Sequence, residues 1–267
     1  MIRETTLRVV TWNVWLRFGP WRRRQTAIES TLAGLAPDIV ALQEVWREPG
    51  GTDQARLLGE ALEMYHHYSH CSTLDGLEIG NAVLSRWPIT CVEELVLPGP
   101  RDSGERRRCV TLARISGPRG DVPFCTTHLA HDYADSGLRQ QQARAVARFV
   151  ACHANGGFPS VLAGDLNADP TCDEVRMLTG RCAVPVPGLV FHDAWDIAGS
   201  GDGHTWSNDN PHARSSLAPS RRIDYVLVGL TGPHGVGHVV SATLAGVSPV
   251  DGMVASDHYA VVADLRY

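Results

Sequence analysis

The sequence repeatedly places a short polar motif at the end of an apolar run, and this pattern constrains the fold more than any other feature. The motifs are Thr-Trp-Asn13, Leu-Gln-Glu44, Thr-His128-Leu, Gly-Asp165-Leu-Asn167 and Ser-Asp257-His258. A carboxylate, amide or imidazole at the end of a buried strand is held rigidly at the edge of a sheet. Because these motifs are spread over the chain, we expect the strands to converge on one site.

The apolar periodicity predicts strands at 7–15 and 38–45, joined by an Arg-rich amphipathic helix at about 22–35. A second helix is predicted at about 53–63. Short turns containing Pro and Gly then predict an antiparallel set of strands at 79–85, 89–97, 109–115 and 122–127.

The same order of elements begins again in the second half of the chain. The spacing predicts a helix at 138–154, a strand at 160–164, and later strands at 223–228, about 237–243 and 260–265. The irregular stretch from about 199 to 220 is typical of an active-site loop. The simplest packing is an α/β (α+β) fold of four layers, an αββα sandwich of two mixed β-sheets flanked by helices. We expect residues 1–267 to form a single domain.

Composition excludes several kinds of chemistry. All 24 basic residues are Arg, so the chain has neither a P-loop lysine nor a Schiff-base lysine. A net charge of −5 argues against a protein that coats long nucleic acid by charge alone, although it allows a local basic groove.

The sequence also predicts where the chain resides and how its cysteines behave. It shows no signal peptide and no membrane span, so we expect a cytoplasmic protein without stable membrane association. The seven cysteines are scattered and lack a CxxC pair, so we expect no disulfide framework and no thiolate zinc site. Most of these thiols are expected to be buried small hydrophobes.

Several polar residues are candidates for chemistry, each with a structural alternative. A buried Glu44 would cost several kcal/mol unless it were paired or bound a metal, yet an ordinary strand-end glutamate fits equally well. Asp165 and Asn167 lie on one face of an extended segment, but the same residues close Asx turns. Repetition of such residues at other strand ends favours the functional interpretation.

Histidines at strand ends provide the second part of the candidate site. His258 follows Asp257 and could meet Asp224 in space, which would hold its imidazole in the charged form suited to phosphate. His128 ends another strand in the same manner. The donors are oxygen and imidazole rather than thiolate, a set that suits Mg²⁺ with Mn²⁺ as a possible substitute. Phosphoester hydrolysis is therefore the leading reaction class.

Together the motifs TWNVW, DIVALQEVW, GNAVLSRWPI, THL, GDLNADP, RIDYVLV and SDHYAVVADL resemble the endonuclease/exonuclease/phosphatase superfamily, which includes DNase I-like nucleases, abasic-site endonucleases and neutral sphingomyelinases. They run from residue 11 to residue 265 in the family's order. The resemblance implies a DNase I-like fold and metal-assisted, in-line cleavage of a phosphoester.

The resemblance also implies roles for individual residues. Asn13 and Glu44 would sit at the metal, with Asp257 near or on the ion. Asp165 would orient or deprotonate the attacking water, and Asn167 would contact the developing pentacoordinate phosphate. His258, paired with Asp224, would stabilise phosphate charge, and His128 would bind the phosphate from another side.

Further residues have two open interpretations each. Glu78 could pair with His128 or simply belong to a turn. The arginines 106–108 and Arg139 could contact phosphate or brace the structure. Trp206 and the arginines 221–222 could hold a base, a lipid head group or flanking phosphate, or belong to a surface loop anchored by one buried Trp. The cluster His66, His67 and His70 is interpreted as surface.

The sequence therefore predicts an Mg²⁺-dependent phosphoesterase, a hydrolase that cleaves a phosphodiester, with a nuclease as the first candidate. The alternative is a lipid or small-molecule phosphodiesterase or phosphatase of the sphingomyelinase kind, and a remote alternative is a non-catalytic binding protein. The expected partner is a phosphoester substrate, nucleic acid included, with no obligate protein partner.

Overall fold

Two six-stranded mixed sheets pack face to face, and helices cover their outer sides. The computed structural model describes residues 5–99, 107–154 and 156–267. Its strands are β1 Thr6–Asn13, β2 Ile39–Arg47, β3 Tyr65–Leu74, β4 Leu77–Ser85, β5 Ile89–Val96, β6 Cys109–Gly117, β7 Gly120–His128, β8 Val161–Asp165, β9 Phe191–Asp193, β10 Asp224–Gly229, β11 Val239–Ala245 and β12 Ala260–Arg266. Its helices are α1 Trp21–Leu35, α2 Gln54–Leu62, α3 Ser136–His153, α4 Asp173–Leu178 and α5 Ala194–Ala198.

Each sheet is built around one parallel pair of strands. The strand order of the first sheet is β11-β12-β1-β2-β4-β3, with β1 parallel to β2. The second sheet has the order β5-β6-β7-β8-β10-β9, with β7 parallel to β8. Carboxyl ends of parallel strands meet at one edge of a sheet. The two pairs end on the same side of the sandwich, because Asn13 at the end of β1 contacts Asp165 at the end of β8.

Three apolar clusters fill the spaces between the layers. The inner cluster joins the two sheets, where Phe124 and Val226 are fully buried. A second cluster lies between the first sheet and α1, and a third between the second sheet and α3. Burial of each large apolar side chain contributes about 1.5–3 kcal/mol, so the strand ends rest on a rigid scaffold. The four-layer αββα sandwich is thus confirmed.

Some predicted elements are misplaced or missing in the sequence interpretation. The antiparallel set is divided, because β4 pairs with β2 and β3 in the first sheet whereas β5, β6 and β7 lie in the second. The histidine cluster 66–70 lies on β3, an unpredicted edge strand whose many polar residues obscure its period. The short elements α4, β9 and α5 were also not predicted.

The expectation for the cysteines is wrong in two respects. Cys71 of β3 and Cys109 of β6 form a disulfide that joins the two sheets. Of the five free cysteines, only Cys125 is buried, and Cys91 and Cys152 are exposed. In the described part of the chain, no helix has the length and apolar character needed to cross a membrane.

Candidate active site

A cavity of about 300 Å³ opens at the edge where the parallel strands end. Seven of the eight predicted site residues line it: Asn13, Glu44, His128, Asp165, Asn167, Asp257 and His258. The eighth, Asp224, lies behind the wall, where it is buried against His258. The structure therefore brings the whole predicted set together.

The carboxylate of Asp165, the last residue of β8, is the centre of the site. Its Oδ1 accepts a hydrogen bond from the backbone N–H of Asn167 at 2.8 Å, and its Oδ2 accepts one from Asn13 Nδ2 at 3.1 Å. The Nε2 atoms of His128 and His258 lie 3.4 Å and 3.9 Å from Oδ2. Asn13, from β1, thus connects the two sheets at the cavity.

Burial sets the protonation of this carboxyl group. Burial, with a further contribution from the Asp224 carboxylate, raises the pKa of Asp165 to about 7. A carboxylate with such a pKa can take a proton from water and release it again near neutral pH. Asn167 holds the turn that follows with a left-handed φ of 50°, a conformation that Asn tolerates better than most residues.

His258 and Asp224 form a buried ion pair. His258 Nδ1 lies 2.8 Å from Asp224 Oδ2, with side-chain exposures of 5% and 0%. Burial alone would lower the pKa of His258, but the Asp224 carboxylate outweighs it and holds this pKa well above the usual value. Thr205 Oγ1 accepts the backbone N–H groups of Ile223 and Asp224, which fixes the start of β10. His258 therefore presents a charged Nε2–H to the cavity.

Glu44 and Asp257 form the acidic side of the cavity. Glu44 sits in β2 with a φ of 56°, where the pairing of β2 with β4 is irregular. Burial, and then repulsion from Glu44 that offsets the attraction of His258, raises the pKa of Asp257 to about 7. Two carboxylates that destabilise each other in a cavity are a donor set that a hard divalent cation would stabilise.

Arg24 interacts electrostatically with this pair of carboxylates, but its hydrogen bonds go elsewhere. Arg24 of α1 is 1% exposed, and its guanidinium donates hydrogen bonds to backbone carbonyl oxygens. These carbonyls belong to Val14, Trp15, Leu16, Phe18 and Ala255. Arg24 thus fixes the loop after β1 through backbone carbonyl groups.

A second set of groups is also close enough to hold a metal ion. Three possible ligand atoms lie within 4.8 Å of one another, one each from Asp165, Asp224 and His258. In the structure, however, the imidazole and the Asp224 carboxylate bind each other at 2.8 Å. A cation there would have to displace the imidazole proton, so the pair Glu44 and Asp257 fits a hard ion better.

Neither interpretation of Glu78 matches the structure, which places this residue in β4 rather than in a turn. Pairing with His128 is wrong, because Glu78 lies opposite Arg47 in the β2–β4 register and the two side chains meet at 2.6 Å. The partner of His128 Nδ1 is instead Arg108, whose NH1 lies 2.8 Å away. The antiparallel pairing of β6 with β7 places an arginine, rather than a carboxylate, beside His128.

The other candidate arginines are divided between the site and the scaffold. Arg139 is buried and braces α3 against α4 through an ion pair with Glu174 at 2.6 Å, so it is not a phosphate contact. Arg222 is buried between Asp193 and Asp196, at 2.6 Å and 2.7 Å. Both residues serve the scaffold. Arg106 lies outside the described residues.

The loop at 199–220 does reach the cavity. Trp206, Ser216 and Ala218 line it, and the Trp206 ring meets the His258 ring edge-on at 5.1 Å. Arg221 also lines the cavity, where Asp169 binds it at 2.8 Å. A surface loop with a purely structural Trp is therefore not what the structure shows.

Sequence reasoning missed several residues of the cleft. Phe18, His131 and Tyr133 line the cavity outside the quoted motifs, and Trp15, the last residue of TWNVW, lines it without an assigned role. The signal for His131 is its position three residues after His128, on the loop that leaves β7. The aromatic residues follow directly on predicted site strands and carry no pattern of their own.

A second cavity of about 280 Å³ adjoins the first and shares Phe18, Glu44 and His131 with it. Its other lining residues are Leu16, Ser72, Leu74, Ile79, Arg107 and Arg108. The cleft thus has an acidic centre, an apolar extension and two arginines at that extension.

The chain is similar to known proteins over most of its length. Residues 10–258 match the model of the Endonuclease/Exonuclease/phosphatase family. A putative neutral sphingomyelinase from Caenorhabditis elegans is 29% identical over 257 residues, which cover 83% of this chain and 58% of that protein. The chain thus spans just over half the length of this relative.

Solved structures show the same fold. An endonuclease/exonuclease/phosphatase from Beutenbergia cavernae has 28% identity and a TM-score of 0.75, covering 99% of this chain and 72% of that one. TDP2 from D. rerio, complexed with a single strand DNA product, has 22% identity and a TM-score of 0.75 over 99% of this chain and 100% of that one. The match of the family model over nearly the whole chain shows that this protein belongs to the endonuclease/exonuclease/phosphatase family.

Proposed function

We propose that the protein is a divalent-metal-dependent phosphodiesterase that hydrolyses its substrate by in-line attack of water. The observation that carries this proposal is the buried Asp224–His258 pair, whose charged imidazole lies 3.9 Å from the Asp165 carboxylate. A base and a fixed positive charge side by side in one cavity suit a reaction in which water attacks a phosphate whose negative charge grows.

The proposed metal ligands are Glu44 and Asp257, with Asn13 beside them. Oxygen donors of this kind favour Mg²⁺, and Mn²⁺ could replace it. When bound, the ion would act as a Lewis acid on a phosphate oxygen. Asn13 already donates to Asp165 and accepts from the backbone N–H of Trp15 at 3.0 Å, so its amide also holds the two sides of the site in register.

The protein's own groups divide the remaining work. Asp165 accepts the proton of the attacking water, which its raised pKa permits near neutral pH. His258 donates a charged hydrogen bond to the phosphoryl group, and His128 and Asn167 donate from other sides. Each donor is held by a second contact, so little reorganisation is needed as charge develops.

Nucleic acid is the first substrate class that we propose. The cleft offers aromatic faces at Tyr133 and Trp206 on which bases could stack, and Arg107 at its far end for flanking phosphate. The solved relative with single strand DNA product has only 22% identity and supports the fold rather than the substrate.

A phospholipid such as a sphingomyelin is the second candidate, and a specific observation favours it. The apolar extension formed by Leu16, Phe18, Leu74 and Ile79 adjoins Glu44 and could take a hydrocarbon group of the substrate. The 29% identity to a putative neutral sphingomyelinase points the same way.

An activity panel tests the proposal and separates the substrate classes. Wild type would be assayed with Mg²⁺ and with EDTA on single-stranded and duplex DNA, abasic DNA, RNA, a 5′-phosphotyrosyl oligonucleotide, sphingomyelin micelles and an aryl phosphodiester. The variants are Glu44→Gln, Asp165→Asn and His258→Gln, and the control is Glu60→Gln on the exposed face of α2.

We expect the three site variants to lose activity by at least about 10²-fold and the control to keep it. Activity that survives EDTA would refute the metal requirement, and variants that match wild type would refute the site. If wild type cleaves no diester with either Mg²⁺ or Mn²⁺, the proposed function fails and a binding protein on this fold takes its place.

A further inference from the structure

The Arg108 guanidinium bridges two imidazole rings at the mouth of the site. Its NH1 lies 2.8 Å from His128 Nδ1, and its NH2 lies 3.3 Å from His131 Nδ1. A guanidinium has only N–H donors and no acceptor. Each Nδ1 must therefore be an unprotonated acceptor, which leaves the ring proton on Nε2.

The surroundings of His128 favour the same neutral form. The charged and titratable groups that face it are Arg108 and His131 on one side, and Asp165 and His258 on the other. Burial, followed by the positive charge of Arg108, holds the pKa of His128 well below the usual value. Protonation of His128 Nδ1 would place its N–H opposite an N–H of Arg108, and the 2.8 Å hydrogen bond between them would be lost.

The two histidines of the site thus differ through their Nδ1 partners. His258 Nδ1 meets a carboxylate, Asp224, at 2.8 Å, whereas His128 Nδ1 meets an arginine at the same distance. Both rings direct Nε2 towards Asp165 Oδ2 and the cavity. One ring presents a charged donor and the other an uncharged donor.

We propose that Arg108 is a positioning residue that fixes His128 as the neutral Nε2–H tautomer, so that His128 serves the phosphoryl group as an uncharged hydrogen-bond donor. The tautomer follows from the contacts alone, and the service to a phosphoryl group rests on the proposed function. An uncharged donor needs no proton from solvent to make its hydrogen bond. His258 supplies the positive charge.

The tautomer can be measured without any substrate. Long-range ¹H–¹⁵N correlation spectra of protein labelled with [¹⁵N]histidine distinguish the two neutral tautomers and the imidazolium, and the signals of His128 are assigned by their loss in His128→Gln. We expect an unprotonated Nδ1 and a protonated Nε2 from about pH 6 to about pH 9. A wild-type imidazolium near pH 7, or an Nδ1–H tautomer, would overturn the proposal.

Two substitutions at residue 108 separate positioning from mere packing. Arg108→Met removes every donor and should release the tautomer, while Arg108→Lys keeps a donor and should restore it. Arg144→Met, on the exposed face of α3, controls for the loss of one surface arginine. Thermal melting of each variant shows that it is folded before its spectrum is read.

Kinetics on the best substrate of the panel add a second readout. We expect Arg108→Met to lower kcat about tenfold with little change in KM, and Arg108→Lys to recover most of that loss. An unchanged His128 tautomer in folded Arg108→Met would refute the proposal, as would equal kcat values for the Met and Lys variants. If wild type hydrolyses no substrate, the proposed function fails while the spectra still decide the tautomer.

Discussion

The Asp224→Asn variant is the most informative perturbation of the site, because it removes one charge and keeps the shape. The Asp224 and His258 side chains are 0% and 5% exposed and lie 2.8 Å apart, so solvent screens their attraction little. Breaking a buried ion pair typically costs about 3–5 kcal/mol when the remaining charge stays buried. A difference of about 3 kcal/mol corresponds to roughly a 100-fold change in an equilibrium constant.

His258 can avoid that cost by releasing its proton. We expect the pKa of His258 to fall in Asp224→Asn, because burial lowers it and the carboxylate that opposed burial is gone, so the ring loses its charge at a lower pH than in wild type. The charged donor is then lost, and kcat/KM should fall about 100-fold near pH 8. Acidification should recover part of the loss, because it restores the imidazolium.

The assay is a pH profile of kcat/KM for wild type and Asp224→Asn on one diester from about pH 5.5 to about pH 9. Asp202→Asn, an exposed position in the 199–220 loop, serves as the control. Thermal melting accompanies each profile, because an amide N–H₂ at the buried, unpartnered Oδ1 position of Asp224 should cost about 1–3 kcal/mol. Profiles of equal shape, or a loss below about threefold at every pH, would refute the role given to the ion pair.

Other residues of the site and its scaffold give three further predictions. The raised pKa values of Asp165 and Asp257 make the folded protein take up protons before the unfolded chain does, so stability of the metal-free protein should rise as pH falls through about 7 and be lost above it. Each group should contribute about 1 kcal/mol to the rise in stability between about pH 8 and pH 6. Mg²⁺ should therefore raise the melting temperature more at the higher pH, where the carboxylates are ionised. A larger rise in melting temperature with Mg²⁺ at the lower pH would contradict this. Arg24→Met should destabilise the protein by at least about 3 kcal/mol in urea unfolding, because it strands several buried carbonyls; a change below about 1 kcal/mol would show that these bonds contribute little. Glu78→Gln should keep kcat within about twofold of wild type, because Glu78 binds Arg47 rather than His128; a loss like that of Arg108→Met would reverse the assignment.

The sequence predicts those parts of the site that depend on local position along a strand. Asn13, His128 and Asp165 each end a strand of a parallel pair, and strand ends can be located from apolar runs and turn residues. Convergence of these ends follows from parallel pairing. The four layers of the fold can also be predicted, because helices alternate with strands in both halves of the chain.

Partner choice could not be predicted, since it depends on register between strands distant in sequence. Arg47 takes Glu78 because the two residues face each other across β2 and β4. Arg108 reaches His128 because β6 and β7 pair antiparallel, which places the start of one strand beside the end of the other. The Cys71–Cys109 disulfide is hidden from the sequence for a similar reason, because it joins strands of different sheets.

Edge elements were the weakest part of the fold prediction. β3 carries four polar residues among its first six, so neither an alternating nor a continuous apolar pattern marks it as a strand. It forms because β4 offers it a free edge to pair with. Tertiary pairing, rather than local propensity, creates this strand.

The central claim is that water attacks phosphorus in this cavity, and isotope labelling tests it most directly. An aryl phosphodiester would be hydrolysed in H₂¹⁸O with Mg²⁺, and both products would be analysed by mass spectrometry. We predict one ¹⁸O atom in the phosphate monoester and none in the released phenol, with product formation abolished by EDTA and in Asp165→Asn. Label in the phenol, or label in the phosphate at an undiminished rate in Asp165→Asn, would contradict the claim.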